Sequence, residues 1–359
     1  MKPVIGVLFG GQSHEYPVSL QSASAVLRSI DTKRFDIVTI AIDRTGCWYR
    51  FDGAIEAIER DSWLSSGIRS RLALPFDARA HGVLDLESGA IVHLDAALPI
   101  LHGRNGEDGS VQGALQLAGI PVVGCSTTGS AVCMDKVVAH RIATAEGIGV
   151  PDSVLVDCSK GPSEIRHSAE RIGYPLFVKP PREGSSMGLS RVENPETLLT
   201  AVAHALVFDE QVLLEQEIRG SELGCAVLET AGDLIVGEPD EVELNGAVFD
   251  FKEKYSCETA NIIVPARISD YDTRRVKTAA KRLFRAFGCT GFARIDFFLA
   301  NNGSLYFNEA NTIPGFTSHS RFPSMLRAAG LTLTDVLTLA ITESLEKAEA
   351  GLRAHVASA

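Results

Sequence analysis

The chain opens on an unbroken apolar run, residues 3–9 (PVIGVLF), that stops at Gly10-Gly11 and predicts a first buried strand. A helix-like segment over 19–30 follows, with Ser19 as its N-cap. Further apolar runs at 35–42 and 96–101 predict strands, and residues 110–118 another helix. This alternation predicts a parallel α/β unit. Near residue 125 the pattern changes. Asp135 caps a helix to about 146; a strand near 153–156, a helix near 163–172 and a strand at 175–179 follow. Strands dominate 211–238. Residues 239–261 are polar and aromatic with little periodicity, the mark of a functional or disordered loop. A helix over 270–287 and one from about 332 flank a hairpin, and the Ala-rich end, 348–359, is expected to fray.

That hairpin carries the most chemistry. Runs 291–299 and 304–311 are joined at Asn301-Asn302-Gly303, a strong turn signal. Side chains alternate along a strand, so Arg294 and Asp296 share one face, and Glu309 and Asn311 share one face of the next strand. Three oxygen ligands and one arginine then converge. Oxygen ligands suit Mg²⁺ held with substrate phosphates, and the arginine suits charge developing in a transition state. Apolar neighbours Phe292, Ile295, Phe297, Leu299 and Phe307 place the hairpin in a core, where charges need partners. Upstream, Lys179 ends a strand before Gly184, Ser185, Ser186 and Gly188, a small-residue loop whose N–H groups can approach phosphate. Lys136 at a helix start is a second phosphate candidate. Glu215 and Glu222 could reach ribose hydroxyls or an adenine amino group. Glu15, beyond the first strand, could hold a substrate ammonium, and His102 at another strand end is a ligand-contact candidate. Neither GxGxxG nor GxxxxGK[ST] occurs, so a dinucleotide fingerprint and a P-loop are excluded.

Size and charge bound the rest. At 359 residues, two or three domains are expected. A net charge of −11 disfavours broad binding to nucleic acid or anionic membranes, and leaves room for a local basic cleft. No apolar run approaches the roughly 20 residues of a membrane helix, and the stretch MKPVIGVLFGGQS lacks the long apolar segment expected of a signal peptide and reads as a first strand. Seven cysteines without CxxC point to free thiols in a reducing cytoplasm.

Taken together, MDK (134–136), VKPPREGSSMG (178–188), LLEQ (213–216) with Glu222, ARID (293–296) and NEANTIPGFTSHS (308–320) resemble an ATP-grasp enzyme. FGGQSHEYPVSL (9–20) and HGRNGEDG (102–109) narrow the resemblance to D-alanine–D-alanine ligases, over about residues 4–345. It implies an α/β, ATP-grasp fold: a Rossmann-like unit, 1–124, then two α+β units, 125–215 and 216–359, sandwiching ATP, with a mobile lid at 239–261. It implies a cytoplasmic homodimer making a D-Ala–D-X dipeptide for peptidoglycan through a D-alanyl phosphate. Cofactors would be ATP and two Mg²⁺, or Mn²⁺.

Matched by motif, Glu15 would bind the first D-alanine's ammonium, and Lys136 and Lys179 the ATP phosphates, with Ser185, Ser186 and Lys254 nearby. Glu215, Gln216 and Glu222 would contact the nucleoside. Asp296, Glu309 and Asn311 would ligate the metals. Arg294 and the Gly315 N–H would stabilise the oxyanion; Ser320, with His102 close by, would bind the acceptor. Ser185 and Tyr255 would hydrogen-bond with Glu15 to tie lid to site. Gln216 stands where many members have lysine, and Pro17 where they have an acid. Arg321 and ELGCAVL (222–228) are similar to the vancomycin-resistance-type branch, and EKY (253–255) to its D-alanine- and D-serine-adding lids. Arg321 or Asp240 would meet an acceptor hydroxyl, leaving D-alanine and D-serine open. The alternatives are a ligase for other amino acids and a non-catalytic nucleotide-binding protein; Glu15 and Ser320 weigh against the first, the full metal and phosphate set against the second.

Overall fold

The computed structural model describes residues 1–66, 69–244 and 260–358. The amino-terminal unit runs β1 (Val4–Gly10), α1 (Tyr16–Ser29), β2 (Asp36–Ile42), β3 (Trp48–Phe51), α2 (Ile55–Glu59), α3 (Trp63–Ser66), β4 (Arg69–Ala73), β5 (Gly82–Asp85), β6 (Ile91–His93), β7 (Ala96–Ile100) and α4 (Ser110–Leu117). Its seven strands are ordered β6-β5-β4-β3-β2-β1-β7. Only β1, β2 and β7 are parallel; β3 to β6 extend the sheet as an antiparallel meander that the apolar pattern does not announce. These strands are short and half exposed, so they carry no clean alternation. α1 begins at Tyr16 with Pro17 in its first turn, not at Ser19. Ser19 instead lies inside the helix, fully buried, accepting from the Gly10 N–H (2.8 Å) and donating to the Ile100 carbonyl. It pins the helix against the ends of two parallel strands.

Next come α5 (Thr127–Met134), α6 (Lys136–Ala145), β8 (Ser153–Asp157), α7 (Pro162–Ile172), β9 (Leu176–Lys179), β10 (Ser190–Val192), α8 (Pro195–Ala205) and β11 (Gln211–Gln216). They build an antiparallel four-stranded sheet, β10-β9-β11-β8. The rest is β12 (Gly220–Thr230), β13 (Asp233–Val236), β14 (Asp240–Leu244), β15 (Ala260–Ile263), α9 (Asp270–Ala286), β16 (Phe292–Ala300), β17 (Leu305–Asn311), α10 (Arg321–Ala328) and α11 (Leu333–Ser358). The sheet order is β15-β14-β12-β16-β17, with β13 beside β12. The ends of the expected 239–261 loop are therefore paired strands, β14 with β15. The expected fraying after 348 is not seen, since α11 continues to Ser358.

The two-residue period of this last sheet sorts its side chains between two cores. Ala226, Leu228 and Phe292 pack with Ile5, Phe9 and Leu98 of the first unit and with Phe316, Phe322 and Leu326. Leu223, Cys225, Val227, Ile295 and Phe297 face the other way, onto α9 and residues of α5 and α6. The four-stranded sheet keeps a core of its own around Val156, Leu176, Val178 and Leu214. First and last units thus share a core from which the four-stranded sheet is excluded. Phe292, in edge contact with Phe316 and tilted on Phe322, is its keystone. Phe292→Ala should cost about 3–5 kcal/mol, measured by denaturant unfolding; a loss below about 1 kcal/mol would contradict a shared core.

Candidate active site

In the β16–β17 register Arg294 faces Asn311 and Asp296 faces Glu309. Arg294 grips Asp296 with Nε (2.8 and 3.1 Å) and Nη2 (2.7 Å), and Asn311 Nδ2 donates to Asp296 Oδ2 (3.0 Å). Burial opposes the Arg294 charge, but Asp296 beside it raises the guanidinium pKa above its ordinary value. Glu309 Oε2 lies 3.3 Å from Lys136 Nζ. Among the described residues no three His, Cys, Asp or Glu side chains are grouped as a metal cage. Two carboxylates and an amide oxygen are nevertheless a fitting donor set for Mg²⁺, which retains waters and takes phosphate oxygens as further ligands.

Lys136 and Glu309 look into a cleft of about 440 Å³ that also exposes Lys179, Glu215, Gln216 and Glu222. Asp135 caps α6 by accepting from the Val137 and Val138 N–H groups, which presents Lys136 on the first turn. Lys136 also donates to the Glu183 carbonyl (2.8 Å). Lys179 Nζ bonds Glu215 Oε1 (2.7 Å). Glu215 is only 2% exposed, and its Oε2 has no hydrogen-bond partner among the described residues. A buried acceptor at a cleft wall asks for a donor from a ligand; an adenine amino group or a ribose hydroxyl would supply one. Ser185 and Ser186 both sit at positive φ (49° and 60°), a costly conformation for residues with side chains. The tight loop that results divides two spaces: Glu183 and Ser186 line this cleft, Gly184 and Ser185 the next.

The second space, about 860 Å³, gathers Glu15, His102, Arg294, Asn311, Gly315, Ser320 and Arg321. Ser185 Oγ donates to Glu15 Oε1. Gly103 is favoured here by its left-handed backbone (φ +70°), and a Cβ would also stand 2.6 Å from Glu15 Oε2. His102 is buried, and burial lowers its pKa, so the ring is neutral near pH 7. Ser320 Oγ accepts from the Thr317 N–H (3.1 Å) and pairs with Thr317 Oγ1 (2.8 Å). Arg321 forks onto Asp240 (2.7 and 2.8 Å) and reaches Glu222 (3.0 Å). Asp240 is fully buried, accepts the Gly224 N–H as well, and stands behind Arg321 rather than in the cavity wall. Lys254 and Tyr255 lie outside the described residues, as does most of the expected lid.

Two residues of this cavity region carry no role in the motif reading. Ser22, on α1, is fully buried beside His102. Glu107, within HGRNGEDG, takes the Gly103 and Ile313 N–H groups (2.7 and 3.3 Å). Ser22 left one faint signal, a serine on the helix face that buries Ser19, Ala23 and Val26. Burial, then the nearby Glu15 charge, push the Glu107 carboxyl up to about 8 from 4.5. Its folded pKa lies above the unfolded one, so the unfolded chain gives up this proton first as pH rises. Its contribution to stability is complete below about 4.5 and declines until about 8. Glu107→Gln, which cannot ionise, should therefore gain on wild type in thermal midpoint between pH 5 and pH 8. A midpoint difference independent of pH would contradict the shift.

Comparison with known proteins agrees with this geometry. Residues 4–125 match the family model described as D-ala D-ala ligase N-terminus, and residues 142–342 match that of the C-terminus. A protein of Streptomyces coelicolor, provisionally named a D-alanine–D-lactate ligase, is 42% identical over 353 residues (95% of this chain, 98% of the relative). Vancomycin B-type resistance protein VanB of Enterococcus faecalis is 39% identical over 96% of this chain and 98% of its own length. Among solved structures, the VanG D-Ala:D-Ser ligase from Enterococcus faecalis superposes with a TM-score of 0.88 at 43% identity (96% of this chain, all of that one). The D-alanine–D-alanine ligase of Coxiella burnetii gives 0.87 at 30% identity, over 99% and 97%. The two-cavity site therefore sits in an ATP-grasp fold, and the chain belongs to the D-alanine–D-alanine ligase family.

Proposed function

We propose that the chain joins D-alanine to a second D-amino acid at the expense of ATP, releasing ADP and phosphate, with D-serine the favoured acceptor. The observation that carries this reading is the pair of adjoining cavities. A lysine-lined cleft and a Glu15–Arg294–Ser320 chamber meet at one loop and one hairpin, so a phosphoryl group can pass between them. A carboxylate is a poor acyl donor; phosphorylation gives it a leaving group. Glu15 would hold the ammonium of the first D-alanine and orient its carboxylate toward the cleft. Lys136 and Lys179 would neutralise ATP phosphates. Asp296, Glu309 and Asn311 would hold Mg²⁺, which when bound supplies charge neutralisation to the phosphates. Ser320 would take the acceptor's carboxylate. The acceptor amine then attacks the acyl phosphate, and Arg294 with the Gly315 N–H would meet the oxyanion.

The relatives' printed acceptors include lactate, serine and alanine, so acceptor choice rests on the site itself. Arg321 sets a buried guanidinium in the cavity wall, with three hydrogen bonds to Asp240 and Glu222 fixing its plane. A guanidinium has five N–H donors. Those beyond the three can meet an acceptor hydroxyl, and D-alanine would leave them unmatched.

Three outcomes follow. Phosphate release should depend on D-alanine and rise with added D-serine, with D-Ala–D-Ser dominating by mass; absence of D-alanine-dependent release would end the ligase reading. Glu309→Gln should abolish turnover while the protein stays folded by circular dichroism; near-normal turnover would remove it as a metal ligand. Arg321→Leu alone strands the fully buried Asp240, at about 3–5 kcal/mol, so the informative variant adds Asp240→Asn, which keeps the Gly224 bond. The D-Ser to D-Ala product ratio should then fall by about 10²-fold. An unchanged ratio excludes Arg321 as the selector.

A further inference from the structure

The loop after β17 is held from the amino-terminal unit at points on both sides of Gly315. Before it, Glu107 Oε1 accepts the Ile313 N–H (3.3 Å) while its other oxygen holds the Gly103 N–H. His102 is buried beside these contacts. Beyond it, Ser22 Oγ accepts the Phe316 N–H (3.4 Å) and lies 3.2 Å from His102 Nε2. These contacts form one consistent chain. With Ser22 accepting from Phe316, its O–H donates to Nε2, which leaves the proton of the neutral ring on Nδ1. His102 thus backs the Ser22 side of the grip on the loop.

Little freedom remains between the two grips. Pro314 has its φ locked by its ring. Phe316 is fully buried in the shared core, and Gly315 lies so close to Ser320 that a Cβ would stand 2.7 Å from its Oγ. The Gly315 N–H is thus the centre of a span fixed at Ile313 and at Phe316. An N–H donor set in advance requires no reorganisation when negative charge develops in front of it.

We propose that Ser22 and Glu107 are positioning residues that aim the Gly315 N–H at the acyl-transfer oxyanion. This rests on the ligase reading above and extends it to two side chains that act through the backbone of the loop they hold. They belong to different elements and hold opposite sides of Gly315, so loss of either should misplace the same donor. Truncation leaves a loop N–H unpaired and lets the span relax.

The test compares wild type, Ser22→Ala and Glu107→Ala. Each variant should lose roughly 10- to 100-fold in kcat for dipeptide formation, the range expected of misplacement away from the reacting atoms. A phosphinate analogue of the dipeptide, tetrahedral at phosphorus, should bind weaker by the same factor, because it reads the oxyanion geometry directly. KM for ATP and for the first D-alanine should stay within about twofold of wild type. A merely structural role would instead weaken ATP binding in step with kcat, and that result overturns the proposal. Unchanged kcat and phosphinate affinity in folded Ser22→Ala overturns it too, whether or not Glu107→Ala folds. Wild type without D-alanine-dependent turnover removes the ligase reading and this proposal together; active wild type with unaffected variants removes the proposal alone.

Discussion

The site depends on the need of buried charge for a partner. Arg294, Asp296, Arg321 and Asp240 lie within the protein, and each would be costly alone. Antiparallel pairing of β12 with β16 puts Gly224 opposite Asp296 and Ala226 opposite Arg294. The absence of a side chain at Gly224 is what admits the second arginine: a Cβ there would meet Arg321 Nη2 at 2.6 Å and Asp240 Oδ1 at 2.7 Å. Two guanidiniums and their carboxylates then fill a space that packing alone would have closed. Their planes are set by mutual hydrogen bonds, so the charged groups in the cavity wall are preorganised.

The sheet's two-residue period extends this economy. On the face bearing Arg294 and Asp296, the strand begins with Phe292 in the core shared with the amino-terminal unit. Charged residues follow only where that core gives way to the cavity. Arg294 and the hydrophobic keystone are thus two residues apart on one strand, so the chamber wall is anchored in the core beneath it. Glu15 and His102, carried by loops after β1 and β7, inherit the same anchorage, since both strands are buried in the first unit's cores.

Much of this was legible in the residues. The hairpin could be read because Asn-Gly turns and period-two alternation are local signals, and its register then follows from geometry. Lys136 and Asp135 could be read because an N-cap precedes a helix start. What stayed hidden came from contacts distant in sequence. Arg321 meets Asp240 across 81 residues, and Ile313 meets Glu107 across 206. A carboxylate in a Gly-rich loop and a serine on a helix look solvated until tertiary structure surrounds them. The β3–β6 meander was missed for the opposite reason, its strands being too short and exposed to show a period. The strands flanking the expected lid were hidden by polar positions such as Asp240 and Glu241, which are buried only because Arg321 and Arg267 neutralise them.

The four-stranded sheet is attached in a way that bears on how the fold arose. β8 and β11 are antiparallel neighbours, and the Gln216 N–H donates to the Asp152 carbonyl (2.8 Å), so the chain enters and leaves this sheet side by side. Its core is closed on itself. Between Asp152 and Gln216 the sequence thus behaves as a cassette spliced into a host whose remaining strands would still meet without it. Such a segment can vary in its own core with little effect on the host, provided that one loop keeps its place, because Gly184 and Ser185 at its tip are what it contributes to the second cavity.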